Sequence, residues 1–257
     1  MSIKHVCYKF LTVVCLGIAL YSLFELSRIY MDDMKNKQTI AEAQEYYLNK
    51  SVVHEEDDHV RSEKEIRPQF SSLLEMNADV VGWLEMDHTS INYPIVQAED
   101  NEYYLARNIK REEVNMGSIF MDYRNDISTN FQHTILYGHR MKNGSMFGQL
   151  NRYLDEEFFY ENQSFHYDTL YESFEAETFS VYMTTTDFDY IQTDFANDEE
   201  YVSFLQTIQD KSRFPTNTMV TASDHILTLS TCDYTLDNET GRLVIHAKIK
   251  QKVNHRY

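Results

Sequence analysis

Cysteine is scarce in this chain of 257 residues, where only Cys7, Cys15 and Cys232 occur. The first two lie in or beside an apolar N-terminal segment, so the remainder of the chain holds a single sulfhydryl. That remainder therefore has no second thiol with which to form an internal disulfide. The single sulfhydryl stands in the run DHILTLSTCDYT, residues 224–235, and its purpose there is the first question that the sequence raises.

Positive charge is also scarce, since 23 lysines and arginines stand against 41 acidic residues and give a formal net charge of -18. Such a surface repels phosphate backbones, so we expect no nucleic-acid partner. Proline-rich linkers, low-complexity tracts and internal repeats are missing as well. The chain has instead 42% hydrophobic residues, enough for a core, and 14% aromatic residues, which favour β-strands.

A long apolar run stands near the N-terminus. Lys4 and Lys9 precede fifteen uncharged residues, 10–24, and apolar residues extend the run on both sides. A membrane span needs about 20 such residues, and lysines at its end can reach the interface. Because the run lacks a small-x-small cleavage site, we interpret residues 1–30 as a cytoplasmic tip and an uncleaved transmembrane signal anchor. A cleaved signal peptide is the alternative, and both interpretations export the rest of the chain.

The segment after the anchor is highly charged, and apolar residues are sparse until Phe70. We predict a partly helical stalk over residues 31–67, which lifts a single domain, residues 68–257, off the membrane. Within the domain, apolar spacing predicts helices over 146–163 and 197–212.

Several short strands are predicted between these helices, among them 133–139, 225–232 and 242–250. Many short strands with a few inserted helices are typical of a mainly antiparallel barrel or sandwich. The fold class is therefore mainly β.

Cys232 ends one of these strands, on the same face as Ser230, because side chains alternate along a strand. If the next strand is its antiparallel neighbour, Arg242 lies opposite the cysteine. An arginine in that place favours the thiolate and can hold an oxyanion. Two alternatives stay open: the cysteine is a buried, inert side chain, or the arginine caps the loop or meets Asp233 or Asp237.

A cysteine nucleophile also needs a proton shuttle, and the chain has ten histidines. His225 and His246 lie about 23 Å and about 13 Å along their strands from the positions just described, so neither reaches. His139 follows a predicted strand, and Gly138 before it permits a sharp bend and a close approach. His139 is therefore the candidate.

These residues together resemble the sortases, and the resemblance covers about residue 68 to the end of the chain. The blocks occur in the order that the family shows, and the first three of them look like the form used by class B sortases. The blocks are INYPIVQAEDNEYYL (91–105), LYGHRMKNGSMFGQL (136–150) with its YGH, the inserted helix at 197–212, and TLSTC (228–232) with Arg242 ten residues later.

The resemblance implies a closed eight-stranded β-barrel with N-terminal helices and an inserted helix before the cysteine strand. It also implies a single-pass membrane transpeptidase, with its catalytic domain on the extracellular face of a Gram-positive-type bacterium and no cofactor or metal. Such an enzyme cleaves an Asn-Pro-x-Thr-Asn/Ser-like signal near the C-terminus of a secreted protein. It forms a thioester and passes the acyl group to an amine of a cell-wall precursor, although some class B relatives polymerise pilins instead.

The family's site residues carry over by motif. Cys232 is then the nucleophile, His139 the acid and base, and Arg242 the oxyanion and substrate clamp. The class B substrate groove adds six positions, which are Asn101, Leu105, Thr186, Tyr190, Ile191 and Ser230.

Other classes remain as alternatives, namely an exported cysteine protease that only hydrolyses and a non-catalytic surface-binding domain. An exported cysteine L,D-transpeptidase would carry arginine two residues past the cysteine, where Tyr234 stands. A papain-like protease would place its cysteine before its histidine, which is the reverse of the order here.

Overall fold

Eight strands close into a barrel in the computed structural model of the chain, which describes residues 3–51, 65–126, 132–237 and 239–252. The order around the barrel is β1-β2-β3-β4-β7-β8-β6-β5. The predicted eight-stranded barrel is confirmed. The strands are β1 (Val80–Glu85), β2 (Asn92–Val96), β3 (Ile119–Met121), β4 (His133–Tyr137), β5 (Ser164–Thr169), β6 (Ser173–Thr185), β7 (Ile226–Cys232) and β8 (Gly241–Lys252).

The described residues also form four α-helices: α1 (Ile3–Ser51), α2 (Ser71–Met76), α3 (Glu156–Glu161) and α4 (Asp198–Asp210). Helix α4 is the predicted insertion between β6 and the cysteine strand. The side chain of Asn197 caps it by accepting a hydrogen bond from the Glu200 amide, and three acidic residues occupy its first turn. Both features stabilise a helix N-terminus, where amides lack partners and the dipole is positive.

The single helix predicted over 146–163 is wrong in one respect, because the segment is broken at Asp155. A 3₁₀ helix covers Phe147–Leu154, and α3 follows after Asp155 adopts an extended conformation. The Asp155 carboxylate accepts a hydrogen bond from the Phe158 amide at 3.0 Å and so begins the second helix. Apolar spacing reports a buried face, but it does not register a cap inside the run.

Helix α1 runs without a break through the predicted anchor and the first part of the predicted stalk. Its 49 residues correspond to about 74 Å at about 1.5 Å per residue. Apolar side chains between residues 8 and 31 are exposed, and this helix is long and apolar enough to cross a membrane by length and composition.

The second half of α1, within the predicted stalk, packs against the barrel. Ala43 belongs to the same buried cluster as Trp83, and the ring of Tyr47 stacks on Trp83 with centroids 4.2 Å apart. Ile40, Ala43 and Tyr47 recur at helical spacing, so a narrow apolar stripe lies within an otherwise charged sequence. The rest of the predicted stalk, residues 52–64, lies outside the described residues.

Strand β7 separates two cores. It pairs in parallel with β4 and antiparallel with β8. Leu227 and Leu229 point into the barrel core, whereas Ile226 packs on the other face in the cluster beneath α4. Since side chains alternate along a strand, Thr228, Ser230 and Cys232 belong to the α4 side.

Candidate active site

Three neighbouring strands bring His139, Cys232 and Arg242 to one end of the sheet. Cys232 and Arg242 are direct partners across β7 and β8, so the predicted pairing of these strands is present. On the other side of β7, Tyr137 is paired with Ser230, and His139 and Cys232 each follow two residues later. Adjacent strands lie about 4.8 Å apart, so the cysteine stands between the histidine and the arginine.

Gly138 is required for this approach. A Cβ atom at this position would lie 2.4 Å from a side-chain atom of Ile119 and 2.9 Å from one of Phe147. The Gly138 amide makes the last hydrogen bond to β7, donating to the Ser230 carbonyl at 3.3 Å. The chain then turns, and the His139 carbonyl accepts from the Phe147 amide at 3.0 Å.

The His139 ring is half-buried and is oriented by one backbone group. Its Nε2 lies 2.8 Å from the carbonyl oxygen of Leu105. Because a carbonyl only accepts, Nε2 carries the hydrogen, and Nδ1 is the acceptor of the neutral ring. A base held by a third group is the usual arrangement beside an activated nucleophile. The Leu105 carbonyl occupies that orienting position.

Arg242 is held by the loop between β7 and β8. Its Nη1 donates to the carbonyls of Glu239 at 3.1 Å and Gly241 at 2.8 Å. This is the loop-capping alternative that the sequence left open, and it coexists with the position opposite Cys232. A guanidinium has five N–H donors, so the two bonds fix the group without exhausting it.

A buried ion pair links the residue after Cys232 with the residue after His139. Arg140 Nη1 lies 2.7 Å from the carboxylate of Asp233, which is 1% exposed. Burial alone would raise the pKa of Asp233, but the hydroxyl and amide of Thr235 and the Arg140 charge outweigh it and lower the pKa. The pair braces the two strand ends against each other. Sequence reasoning named Asp233 only as a possible partner of Arg242, although its adjacency to Cys232 was a usable signal for this pair with Arg140.

Two of the predicted groove residues meet beside β7, and a third is bonded to the loop that follows it. The hydroxyl of buried Tyr190 lies 2.9 Å from Ser230 Oγ, two residues before Cys232. Burial raises the pKa of Tyr190, while Ser230 and Arg242 oppose the shift. Thr186 is exposed, and its amide donates to the Thr240 carbonyl at 3.0 Å. The loop that joins β6 to α4, residues 186–197, is therefore attached close to the cysteine.

Asn101 and Ile191 are joined through a buried carboxylate that sequence reasoning missed. Asp122 is fully buried and accepts from Asn101 Nδ2 at 3.1 Å and from the Tyr137 hydroxyl at 2.8 Å. It also pairs with Arg124, whose Nη2 donates to the Ile191 carbonyl at 2.9 Å. Residue identity alone carries no signal for this link, since it depends on how distant loops meet.

Tyr234 is a further neighbour of the cysteine. Its side chain is half exposed, and burial together with the nearby Cys232 sulfur raises the pKa of its phenol. The alternation of side chains along an extended chain, two residues from Cys232, was the signal that could have identified it. Leu105, 38% exposed, adds apolar surface on the histidine side.

The arrangement suits acyl transfer. A thiol that is open to solvent lies between a histidine with a free acceptor nitrogen and an arginine that can stabilise negative charge. A separate open cleft, bordered by Tyr160, Pro215 and Lys248, shares none of these residues.

Comparisons with known proteins agree with this geometry. A family model described as "Sortase domain" matches residues 84–250. A curated relative, "Sortase B" of Listeria monocytogenes, is 39% identical over 252 residues, which are 98% of this chain and 100% of the relative.

Solved structures similar to this chain are also of sortase B. A sortase B from Bacillus anthracis in complex with AAEK1 is 53% identical, with a TM-score of 0.76 over 87% of this chain and 100% of that one. A Staphylococcus aureus sortase B-substrate complex is 37% identical, with a TM-score of 0.78 over 86% of this chain and 99% of that one.

Proposed function

The chain belongs to the sortase family of transpeptidases, with sortase B as its group, and from that premise we propose its substrates, mechanism and location. We infer that it cleaves an Asn-Pro-x-Thr-Asn/Ser-like signal near the C-terminus of a secreted protein. It then joins the new end to an amine of a cell-wall precursor. The observation that carries the proposal is that Cys232 and Arg242 are partners across β7 and β8, while His139 follows the end of β4, the other neighbour of β7.

Acylation begins at the sulfur. The Cys232 thiol gives its proton to His139, and the resulting thiolate attacks the carbonyl carbon of the scissile peptide bond, so that a C–S bond forms. Arg242 stabilises the oxyanion of the tetrahedral intermediate. When the intermediate collapses, the C–N bond breaks, and His139 gives a proton to the leaving amine. A thioester on Cys232 remains.

Transfer to the acceptor reverses these roles. The incoming amine attacks the thioester carbonyl and gives its proton to His139, and the C–S bond breaks to release the thiolate. One amide has been exchanged for another, so the reaction balances without an oxidant, a metal or a cofactor. Arg242 stabilises the second oxyanion in the same way.

The signal peptide is proposed to lie between the β6–α4 loop and the turn at Leu105. Thr186, Tyr190, Ile191 and Ser230 form one side, and Asn101 and Leu105 form the other. Support comes from the Tyr190–Ser230 hydrogen bond beside Cys232 and from the contact of His139 with the Leu105 carbonyl. A relative in this group has been solved as a sortase B-substrate complex, which supports a peptide groove in this family.

Membrane attachment is part of the proposal. The exposed apolar part of α1 would cross the bilayer, with Lys4 and Lys9 on the cytoplasmic side and the barrel outside. The enzyme, its secreted protein and the wall precursor would then meet at the outer membrane surface.

The test follows a sorting-signal peptide with mass spectrometry, in the presence of a glycine oligomer, a diamino-acid wall fragment or a lysine-containing pilin peptide. We expect a detectable acyl-enzyme, slow hydrolysis without amine, and a ligated product with the wall-derived amines. Cys232→Ala should give no product, and His139→Ala should lower the rate by about 10²–10⁴-fold.

Each contrary outcome identifies a different alternative. Rapid hydrolysis without ligated product would favour a plain cysteine protease. Ligation to the pilin lysine alone would favour a pilin polymerase. A Cys232 thiol that resists small alkylating reagents in the folded chain would favour a non-catalytic surface-binding domain.

A further inference from the structure

A line of buried hydrogen bonds crosses the sheet on the same face as Cys232 and ends at the β6–α4 loop. The Tyr182 hydroxyl lies 2.7 Å from His246 Nε2, and His246 Nδ1 lies 2.6 Å from Thr228 Oγ1. Thr228 Oγ1 lies 2.6 Å from His133 Nε2, and His133 Nδ1 lies 2.7 Å from the Gln192 carbonyl. Neither histidine has a role in the mechanism above.

The acceptor at the far end fixes the direction of every bond in this line. The Gln192 carbonyl only accepts, so His133 Nδ1 carries a hydrogen, and Nε2 of the neutral ring accepts from the Thr228 hydroxyl. Thr228 then accepts from His246 Nδ1–H, and His246 Nε2 accepts from the Tyr182 hydroxyl. Each histidine uses both nitrogens, and both rings have the same Nδ1–H tautomer.

Burial keeps both rings neutral. His133, Thr228 and His246 are completely buried. Burial lowers the pKa of His133 to about 4 and the pKa of His246 well below its ordinary value. The ring of Phe204 on α4 lies 5.4 Å from the His133 ring and covers that end.

The line ends where the loop carries two of the proposed groove residues. Tyr190 is bonded to Ser230, the Ile191 carbonyl to Arg124, and the Gln192 carbonyl to His133. Three consecutive residues are thus held from β7, from the segment after β3 and from β4. An apolar contact would allow such a loop to slide, whereas a saturated, directed hydrogen bond defines one position for a carbonyl.

We propose that His133, Thr228 and His246 are positioning residues, which set the place of Tyr190 and Ile191 in the peptide groove. The inference rests on the proposed function, since it concerns the groove of that same site. Thr228 is four residues from Cys232, about 13 Å along the strand, so the line acts on peptide binding without contact with the reacting atoms.

Thr228→Val and Thr228→Ser form the matched pair that tests this role in the full-length chain. Valine keeps the shape but removes the hydroxyl, so His133 and His246 each lose a partner; serine keeps the hydroxyl. We expect Thr228→Val to raise KM for the sorting-signal peptide about tenfold or more, with kcat changed less than about threefold. Thr228→Ser should stay within about twofold of the unaltered chain.

The rate at which iodoacetamide alkylates Cys232 separates an effect on the groove from a general loss of structure, because a loss of structure would change this rate. This small reagent needs no groove, so its rate should be equal in the unaltered chain and both variants. A folded Thr228→Val chain with an unaltered KM, or one whose kcat and alkylation rate fall together, would overturn the inference. Should Thr228→Val not fold, Tyr182→Phe replaces it, with a KM rise of at least about twofold expected and an unaltered KM counting against the proposal.

Nitrogen-15 NMR of labelled histidine in the unaltered chain tests the line without using activity. His133 and His246, assigned through His133→Gln and His246→Gln, should both appear as neutral Nδ1–H tautomers at pH 7. An Nε2–H tautomer or a charged ring at either position, with normal cleavage, would overturn this inference alone. If the unaltered chain shows the expected tautomers but cleaves no sorting-signal peptide, the proposed function fails, and the groove assignment fails with it.

Discussion

Two clusters, one within the strands β4, β7 and β8 and one where β4 and β7 end, differ in how much hydrogen-bonding capacity they leave unused. They are four residues apart along β7. The inner cluster is His133, Thr228 and His246, and the outer cluster is His139, Cys232 and Arg242. The inner cluster is completely buried and saturated, whereas the outer one is half-buried and leaves the histidine an acceptor nitrogen.

The difference shows that the same strands can hold a histidine in either cluster, and that burial and hydrogen-bond partners decide whether the histidine is structural or can transfer protons. A general acid and base must gain and lose a proton near neutral pH. Both nitrogens of His133 are occupied, and burial lowers its pKa to about 4, so it stays neutral and holds a backbone. His139 is bonded at one nitrogen and is open to solvent, which suits proton transfer.

The largest expected effect comes from replacing the histidine of the outer cluster with glutamine, with the same replacement in the inner cluster as the comparison. His139→Gln should lower kcat by about 10²–10⁴-fold, because glutamine cannot exchange the proton that catalysis requires. His133→Gln should lower kcat less than about threefold and act mainly on KM. Steady-state kinetics with one sorting-signal peptide measures both. Equal losses of kcat in the two variants would erase the distinction between the clusters.

A smaller loss is expected from Arg242→Lys. Lysine keeps the charge but replaces a rigid fork of donors with one flexible ammonium group. Loss of an oxyanion donor costs on the order of 10²–10³ in kcat. Exposed Arg213, remote from the site, provides the matched control, and Arg213→Lys should stay within about twofold. Near-normal turnover by a folded Arg242→Lys chain would mean that Arg242 contributes only its positive charge and not its set of hydrogen-bond donors.

The outer cluster was accessible to sequence reasoning, but the inner one was not. A single thiol, an arginine on the next strand and a histidine after Gly138 all stand at strand ends, where alternation and spacing are informative. His246 was judged by its distance from Arg242 along its own strand, and His133 was given no role. Their meeting at Thr228 depends on the parallel register of β4 and β7, which local patterns do not contain.

The fold, too, has features that the sequence predicted and features that it did not. Alternating residues and the resemblance to sortases predicted the barrel and the helix α4. The break at Asp155 was missed because periodicity reports a buried face and not a cap. The packing of Tyr47 on Trp83 was missed because charge dominates that part of α1 and hides a narrow apolar stripe.

A moderate effect is expected on the pH dependence of the free energy of unfolding, which tests whether His133 is neutral in the folded chain. The pKa of His133 is about 4 in the folded chain and about 6.5 when unfolded, so the unfolded chain binds the proton first. Stability is then complete above about pH 6.5 and is lost as the pH falls toward 4, by about 3 kcal/mol.

Urea unfolding of the unaltered chain and of His133→Gln at pH 7 and pH 4 measures this contribution. Both chains share every other titrating group, so the difference between their losses isolates His133. Identical losses in the two chains would mean that His133 is not held neutral by the inner cluster.

The smallest effect is expected from a chain that starts at Lys35. It keeps Ala43 and Tyr47, which pack on the barrel, and removes no contact of either cluster described above. Its kcat/KM in solution should stay within about twofold of the full-length value. A shortened chain that folds by circular dichroism yet cleaves no sorting-signal peptide would give the apolar part of α1 a role in the chemistry.

Closure of the barrel limits how a peptide can bind to it. Sheets with a free edge can bind an extended peptide as an additional strand, through backbone bonds that are largely indifferent to sequence. Each of the eight described strands already has a partner on both sides. A sorting signal therefore meets side chains and loop carbonyls at the rim, so that selectivity depends on a few replaceable residues. The same closure keeps neighbouring copies of the chain from joining edge to edge.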